Sequence, residues 1–186
     1  MKNFVVIAAL AMAIAACQTP EKKVDTAAST TTYTVPDDSA ITKAVHDAYA
    51  VISFKKGEKP RFDEVGNYFI PEAQMINFRT GTLEIFTLPK FKELYSSFIT
   101  TNHIEMFYEE EAYGKTEQFG KIAHRISTYN TYLNTRDSIA ERGVNSFQLI
   151  KTPKGWKVSC IIWDVESKAL PIPAYYLPPN PLKGEQ

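Results

Sequence analysis

The stretch "GVNSFQLIKTPKGWKVSCIIWDVE", residues 143–166, decides the fold. Its two halves are rich in Val, Ile, Phe and Trp, as strands are. "TPKG" between them is a turn signal, so the pair is an antiparallel hairpin with strands over 142–152 and 155–165. Working back along the chain, "GKIAHRISTYNTYL" (120–133) and the segment 103–112 read as two more strands, the former covering 119–133. Upstream of these the period changes. Ile41, Val45, Ala48/Tyr49 and Ile52 repeat at helical spacing in "DDSAITKAVHDAYAVISFKKG". Asp37, Asp38 and Ser39 offer an N-cap and Gly57 a C-terminal glycine. "PRFDEVGNYF" starts with Pro60 and places Phe62, Val65 and Phe69 on one side of a second predicted helix. "LPKFKELYSSFIT" is a third, with Phe91, Leu94, Tyr95 and Phe98. Between these two, "AQMINF" and "TLEIFT" predict a short hairpin turning on Gly81. Helices first and then a run of long antiparallel strands define an α+β fold, a curved antiparallel sheet wrapped around N-terminal helices.

The front of the chain is a targeting signal by the same kind of reading. Lys2 precedes an apolar run from Phe4 to Ile14, too short for a membrane helix, which needs about 20 residues. "IAAC" (14–17) then resembles a bacterial lipobox. Residues 1–16 are expected to be a lipoprotein signal peptide and Cys17 the lipidated residue. Glutamine rather than aspartate follows it, which under the sorting rule of some bacteria implies an outer-membrane anchor facing the periplasm or cell surface. Cys160 is then unpaired, so the domain is held by its core alone. Residues 17–37, rich in Thr, Ala, Ser and Lys without apolar period, read as a tether. Residues 38–168 are the size of one domain. Residues 169–186, with five of the chain's eleven prolines, form a tail that either docks through Tyr175 and Tyr176 or stays disordered. The chain is 44% hydrophobic, enough for a packed core, and its 21 Lys+Arg balance 21 Asp+Glu. With no basic stripe, nucleic acid is not an expected partner. The three histidines (46, 103 and 124) lack metal-ligand spacing, and neither a phosphate loop nor a nucleophile elbow occurs, so no metal or cofactor is expected.

"YFIPEAQMI" (68–76), "IAHRISTY" (122–129) and the closing hairpin together resemble the SnoaL-like, nuclear-transport-factor-2-like superfamily across residues 38–166. The resemblance implies a cone formed by a curved sheet folded round a long first helix, with an apolar cavity inside. It implies no single function, since members include ketosteroid isomerases, dehydratases, polyketide cyclases and binding domains without chemistry. The isomerase branch needs a carboxylate base, a second acid and a tyrosine. The matching positions hold Asn77, Phe147 and Tyr49. An amide accepts no proton at neutral pH and a phenyl ring donates no hydrogen bond, so the resemblance leans away from isomerase chemistry.

Strand alternation assigns the candidate cavity groups. In "KIAHRISTY" the set Ile122, His124, Ile126 and Thr128 is the more apolar and is expected inside. Arg125 is expected outside with Ala123, Ser127 and Tyr129, where its charge is solvated. Ile104 and Met106 are expected inside on the preceding strand, and Asn145, Phe147 and Leu149 on the next. The last strand has two apolar faces, and a bulge would switch its phase. The candidate ligand-binding residues are therefore Tyr49, Tyr68, Asn77, His124 and Asn145. His124 is read either as a core histidine satisfied by a hydroxyl or as an acid/base group; Cys160 is read as buried and inert. Three functions follow: a lipid-anchored domain binding a small apolar molecule, an isomerase-, dehydratase- or cyclase-type enzyme using His124, and a non-catalytic interaction domain. An outer sheet face bearing Tyr129, Val144 and Ile150, with Ile161 or Trp163, suggests a homodimer. An enclosed volume of about 300 Å³ or more separates a ligand site from a filled cone.

Overall fold

The computed structural model describes residues 34–179. The residues read as signal peptide, Cys17, most of the stretch read as a tether and the last residues of the tail lie outside the described residues. Helix α1 (Asp38–Ile52) buries Ile41, Val45, Ala48 and Tyr49, as the helical spacing of the sequence implied, and Val51 in place of Ile52, which is half-buried. It stops five residues before Gly57. Ser53 is extended and its hydroxyl donates to the Tyr49 carbonyl, after which Phe54 bridges to Phe107. The helix predicted from Pro60 is absent; only a 3-10 turn, Val65–Asn67, forms there. A ten-residue helix is marginal by itself, and tertiary contacts outcompete it. The Arg61 amide donates to the Val51 carbonyl, its guanidinium to that of Ala50, and Phe62 packs edge-on against Tyr95.

Six strands follow in the order β2-β1-β6-β5-β4-β3: β1 (Phe69–Asn77), β2 (Glu84–Thr87), β3 (Phe107–Phe119), β4 (Ile122–Leu133), β5 (Glu141–Thr152) and β6 (Gly155–Val165). Gly81, at φ 81°, turns the predicted β1–β2 hairpin. Helix α2 (Leu88–Thr101) comes next, its first turn capped by the Thr87 hydroxyl. The α+β expectation stands, with two corrections. The sheet is mixed, because β1 runs parallel to β6, and it is unclosed, with β2 and β3 as edges. Three irregularities in register shape it, one of them in β3 between Glu111 and Tyr113. Pro71, which has no amide hydrogen, falls where the β1–β6 register shifts. Ser159 is the extra residue of a bulge in β6, so Trp156 and Val158 face inward before it and Ile161 and Trp163 after it. The half-buried Cys160 consequently lies on the outer side, where partial burial pushes its thiol pKa up.

The phase expected for β4 is reversed. Ala123, Arg125, Ser127 and Tyr129 are buried, each 6% exposed or less, while Ile122 is 60% exposed. Register requires this: Arg125 lies opposite Phe147 and Ser127 opposite Asn145, and opposed residues share a face. The interior assignment of β5 holds, with Phe147 and Leu149 each 1% exposed. Arg125 is tolerated inside because Glu111 on β3 takes it bidentately, Nε donating to Oε2 at 2.8 Å and Nη2 to Oε1. Its Nη1 reaches Thr116. Gly114 makes room: a Cβ there would collide with the guanidinium and with Glu111. On β3 the interior set is odd-numbered from Phe107 to Glu111 and, past a bulge at Ala112, even-numbered from Gly114 to Gln118. Ile104 and Met106 precede the strand, in a turn that places His103 at φ 51°.

With Tyr129, Ile161 and Trp163 turned inward, the outer face is less apolar than expected. Part of it is covered by the tail through Pro179. The Glu166 carboxylate accepts from the Ile172 amide, and the Thr128 hydroxyl donates to the Tyr176 carbonyl, leaving Thr128 1% exposed. Of the two readings of the tail, this is the docked arm.

Candidate functional site

A cavity of about 340 Å³ opens between the concave face of the sheet, α1 and α2. Its walls are mostly apolar and rich in aromatic rings, among them Phe86, Phe91, Tyr95, Phe98, Phe107 and Trp163. Three of the five candidate residues reach it. Tyr49, Asn77 and Asn145 line the wall, and all are buried. Tyr68 does not; it packs against the core from beside β1. His124 is on the outer face, as the reversed phase of β4 dictates, with Nε2 3.0 Å from the Ser146 hydroxyl. That is the hydroxyl-satisfied reading of His124, though at the half-exposed outer surface and not in the core. The acid/base reading loses its cavity.

The Tyr49 phenol is fully engaged. Asn145 Nδ2 donates to its oxygen at 2.8 Å, so its own hydrogen goes to Ser127 Oγ at 2.7 Å, and Ser127 in turn serves Glu111. The chain ends on the Arg125–Glu111 ion pair, which His46 also approaches at 3.2 Å. Burial acts to raise the pKa of Glu111, but bonds from Arg125, Ser127 and His46 outweigh it and hold the carboxyl below its usual range. Asn77 Oδ1 accepts from the Arg79 amide at 3.0 Å. Both positions matched to the isomerase acids, Asn77 and Phe147, do face the cavity.

The cavity has a carboxylate all the same, one the sequence reading missed. Glu109 on β3 lines it, with Oε2 accepting from the Thr131 hydroxyl at 2.9 Å. Burial, with Glu141 adding repulsion, moves its pKa up to about 7 against the pull of Thr131 and Arg79. At the mouth Arg79 and Glu141 form an ion pair at 2.8 Å, and the Tyr129 hydroxyl donates to Glu141 at 3.1 Å. The clue was "FYEEEAYG" (107–114): in a strand half facing the interior, a run of three glutamates sends at least one inside. No group of three or more metal-ligating side chains gathers among the described residues.

The raised pKa of Glu109 has a consequence for stability. The folded protein holds a proton that the unfolded chain releases, so this contribution is complete below about pH 4.5 and is lost as pH rises through about 7. By pH 8 the loss amounts to roughly 3 kcal/mol. Urea melts of Glu109→Gln are therefore expected to gain on wild type between about pH 5 and 7 and to level off above that. A constant difference across that range would show that Glu109 does not titrate there.

No family model matches the chain, and no curated protein does. Solved structures do. A protein of unknown function with a cystatin-like fold from Nostoc punctiforme superposes with a TM-score of 0.53 at 14% identity, covering 73% of this chain and 95% of the other. A protein of unknown function from Mycobacterium tuberculosis gives 0.55 at 15% identity, over 75% and 83%. A nuclear-transport-factor-2-like protein of unknown function from Methylobacillus flagellatus gives 0.48 at 15%, over 73% and 97%. The fold is thus the cystatin-like one, with a curved sheet packed on two helices.

Proposed function

We propose that this chain is a lipid-anchored cell-envelope domain whose cone holds a small, largely apolar ligand. The observation that carries the reading is the cavity. Its 340 Å³ falls within the range of small-molecule sites, and its aromatic walls converge on a few polar groups, Asn77, Asn145, Glu109 and Thr131. A domain serving only as an interaction surface has no need of that space, and filling it would recover about 25 cal/mol per Å² of buried apolar area. The test is native mass spectrometry of protein purified from its own host. Wild type is expected to carry a small-molecule adduct and Ala48→Trp, which fills the cavity from α1, to lose it while keeping its circular dichroism spectrum. An adduct retained at equal occupancy in the folded variant would place the ligand elsewhere.

The anchor rests on the apolar run and "IAAC" of the sequence. Acyl chains contribute about 0.8 kcal/mol per buried CH₂, so Cys17→Ser is expected to shift the protein from the membrane pellet to the soluble fraction. Continued sedimentation with membranes, without incorporation of labelled fatty acid into wild type, would refute the anchor.

A further inference from the structure

The charge of the cavity says what kind of ligand it takes, an inference that rests on the ligand-binding reading above. Four charged residues line it: Arg79, Glu84, Glu109 and Glu141. Three are acids, and the single base, Arg79, is already bound to Glu141. Glu109 is half-buried and lines the cavity. Its Oε2 has Thr131, while Oε1 takes no hydrogen bond from the described residues. Beside it the aromatic rings are ordered: Tyr95 meets Phe107 edge-on at 5.1 Å and stacks on Phe91 at 5.9 Å. A carboxylate without a cationic partner is unfavourable in such surroundings, and the faces of the rings add further negative potential. Both defects are cured by the same visitor.

We propose that the cavity binds a hydrophobic organic monocation, a protonated amine or quaternary ammonium, with its charge at Glu109 Oε1 and its apolar body against Phe86, Phe91, Phe98 and Phe107. An anionic ligand would meet the surplus of acids. A neutral one would leave the Glu109 charge uncompensated.

The idea dictates a pH dependence. Glu109 shares the cavity with Tyr49 from α1, Tyr95 from α2, Arg79 after β1, Glu84 on β2, Thr131 and Tyr129 on β4, and Glu141 on β5. Burial first, and the Glu109 charge next, hold the phenols of Tyr49, Tyr95 and Tyr129 well above their ordinary range, so they stay neutral. Glu109 itself ionises near neutrality, and a cation binds the ionised form.

The test uses two probes of one shape, benzyltrimethylammonium and neopentylbenzene, titrated calorimetrically into the domain from about pH 5.5 to 8.5. The quaternary ammonium cannot titrate, so any pH dependence belongs to the protein. For a group ionising near pH 7, its affinity is expected to rise roughly thirtyfold across the range. At the upper end it should exceed that of the neutral probe by about tenfold or more. In Glu109→Gln both the pH slope for the cation and the preference for it over neopentylbenzene should vanish. Equal or tighter binding of the neutral probe to wild type at about pH 8.5 would overturn the proposal and leave the apolar-ligand reading standing. So would a pH slope for the cation that survives in Glu109→Gln. If neither probe binds at any pH, the ligand-binding reading falls with it.

Discussion

Arg125→Ala is expected to cost about 3–5 kcal/mol, the usual penalty for removing one partner of a buried ion pair. Glu111 would be left with a side chain only 6% exposed and its bidentate partner gone. The damage should spread, because Glu111 also receives Ser127, which receives Tyr49, which receives Asn145. Guanidinium melts at neutral pH measure the loss. The sign of its pH dependence is fixed. Burial raises the pKa of Glu111, but Arg125 and its other bonds hold it low in the wild type, so their stabilisation is present above the ordinary carboxylate range and fades as pH falls through the lowered value. Wild type and variant should therefore converge toward low pH, where a protonated Glu111 no longer needs a cation. Replacing both partners by apolar residues, Arg125→Met with Glu111→Leu, should recover most of the loss, since a buried pair is often no better than well-packed hydrocarbon. A loss under about 1 kcal/mol for Arg125→Ala would mean that the guanidinium is solvated and the phase of β4 is the one first expected.

Phe147→Ala is the second large effect, again about 3–5 kcal/mol, from lost transfer energy plus the void left behind. Phe147 is 1% exposed, meets the Tyr49 ring edge-on at 5.5 Å and forms part of the cavity wall. The void would join the existing cavity rather than collapse, which places the cost toward the upper end. That is a large share of the 5–15 kcal/mol that holds a typical domain. Denaturant midpoints should fall without a change in slope; a shift under about 1 kcal/mol would place the ring at the surface.

The parts of the fold legible in the sequence were those written in short-range pattern: the closing hairpin, the apolar stripe of α1, the turn at Gly81. What was not legible depended on partners distant in the chain. Arg125 looked like a surface residue because a lone arginine on a strand is cheapest in water. Its partners, chiefly Glu111, fourteen residues earlier and opposite Tyr129 in the paired strands, with Thr116 and Asp38, make its burial tolerable. The parity of β4 was nevertheless determinable. Once Asn145 and Phe147 are inside, any antiparallel register opposing Phe147 to Arg125 brings the arginine in and sends His124 out. The same error hid Glu109, since interior positions on β3 were counted from Ile104 and Met106, on the wrong side of a turn. The parallel pairing of β1 with β6 and the docked tail have no local signature at all.

That parallel pairing bears on how the chain folds. Asn77 pairs with Trp163, 86 residues later in the sequence (163 − 77), and the other β1–β6 pairs are similarly remote. The β1–β2 hairpin has no other strand neighbour. It cannot join the sheet until β6, the last strand to be made, has been placed, and two-stranded hairpins are marginal alone. Closing so long a loop before its contacts form makes assembly slow. Until then β1 and β5 both present bare edges, the kind that pair with other chains. The interval between synthesis and the arrival of β6 is thus when this protein is most prone to aggregate, and a chain cut short before residue 155 should never leave that state.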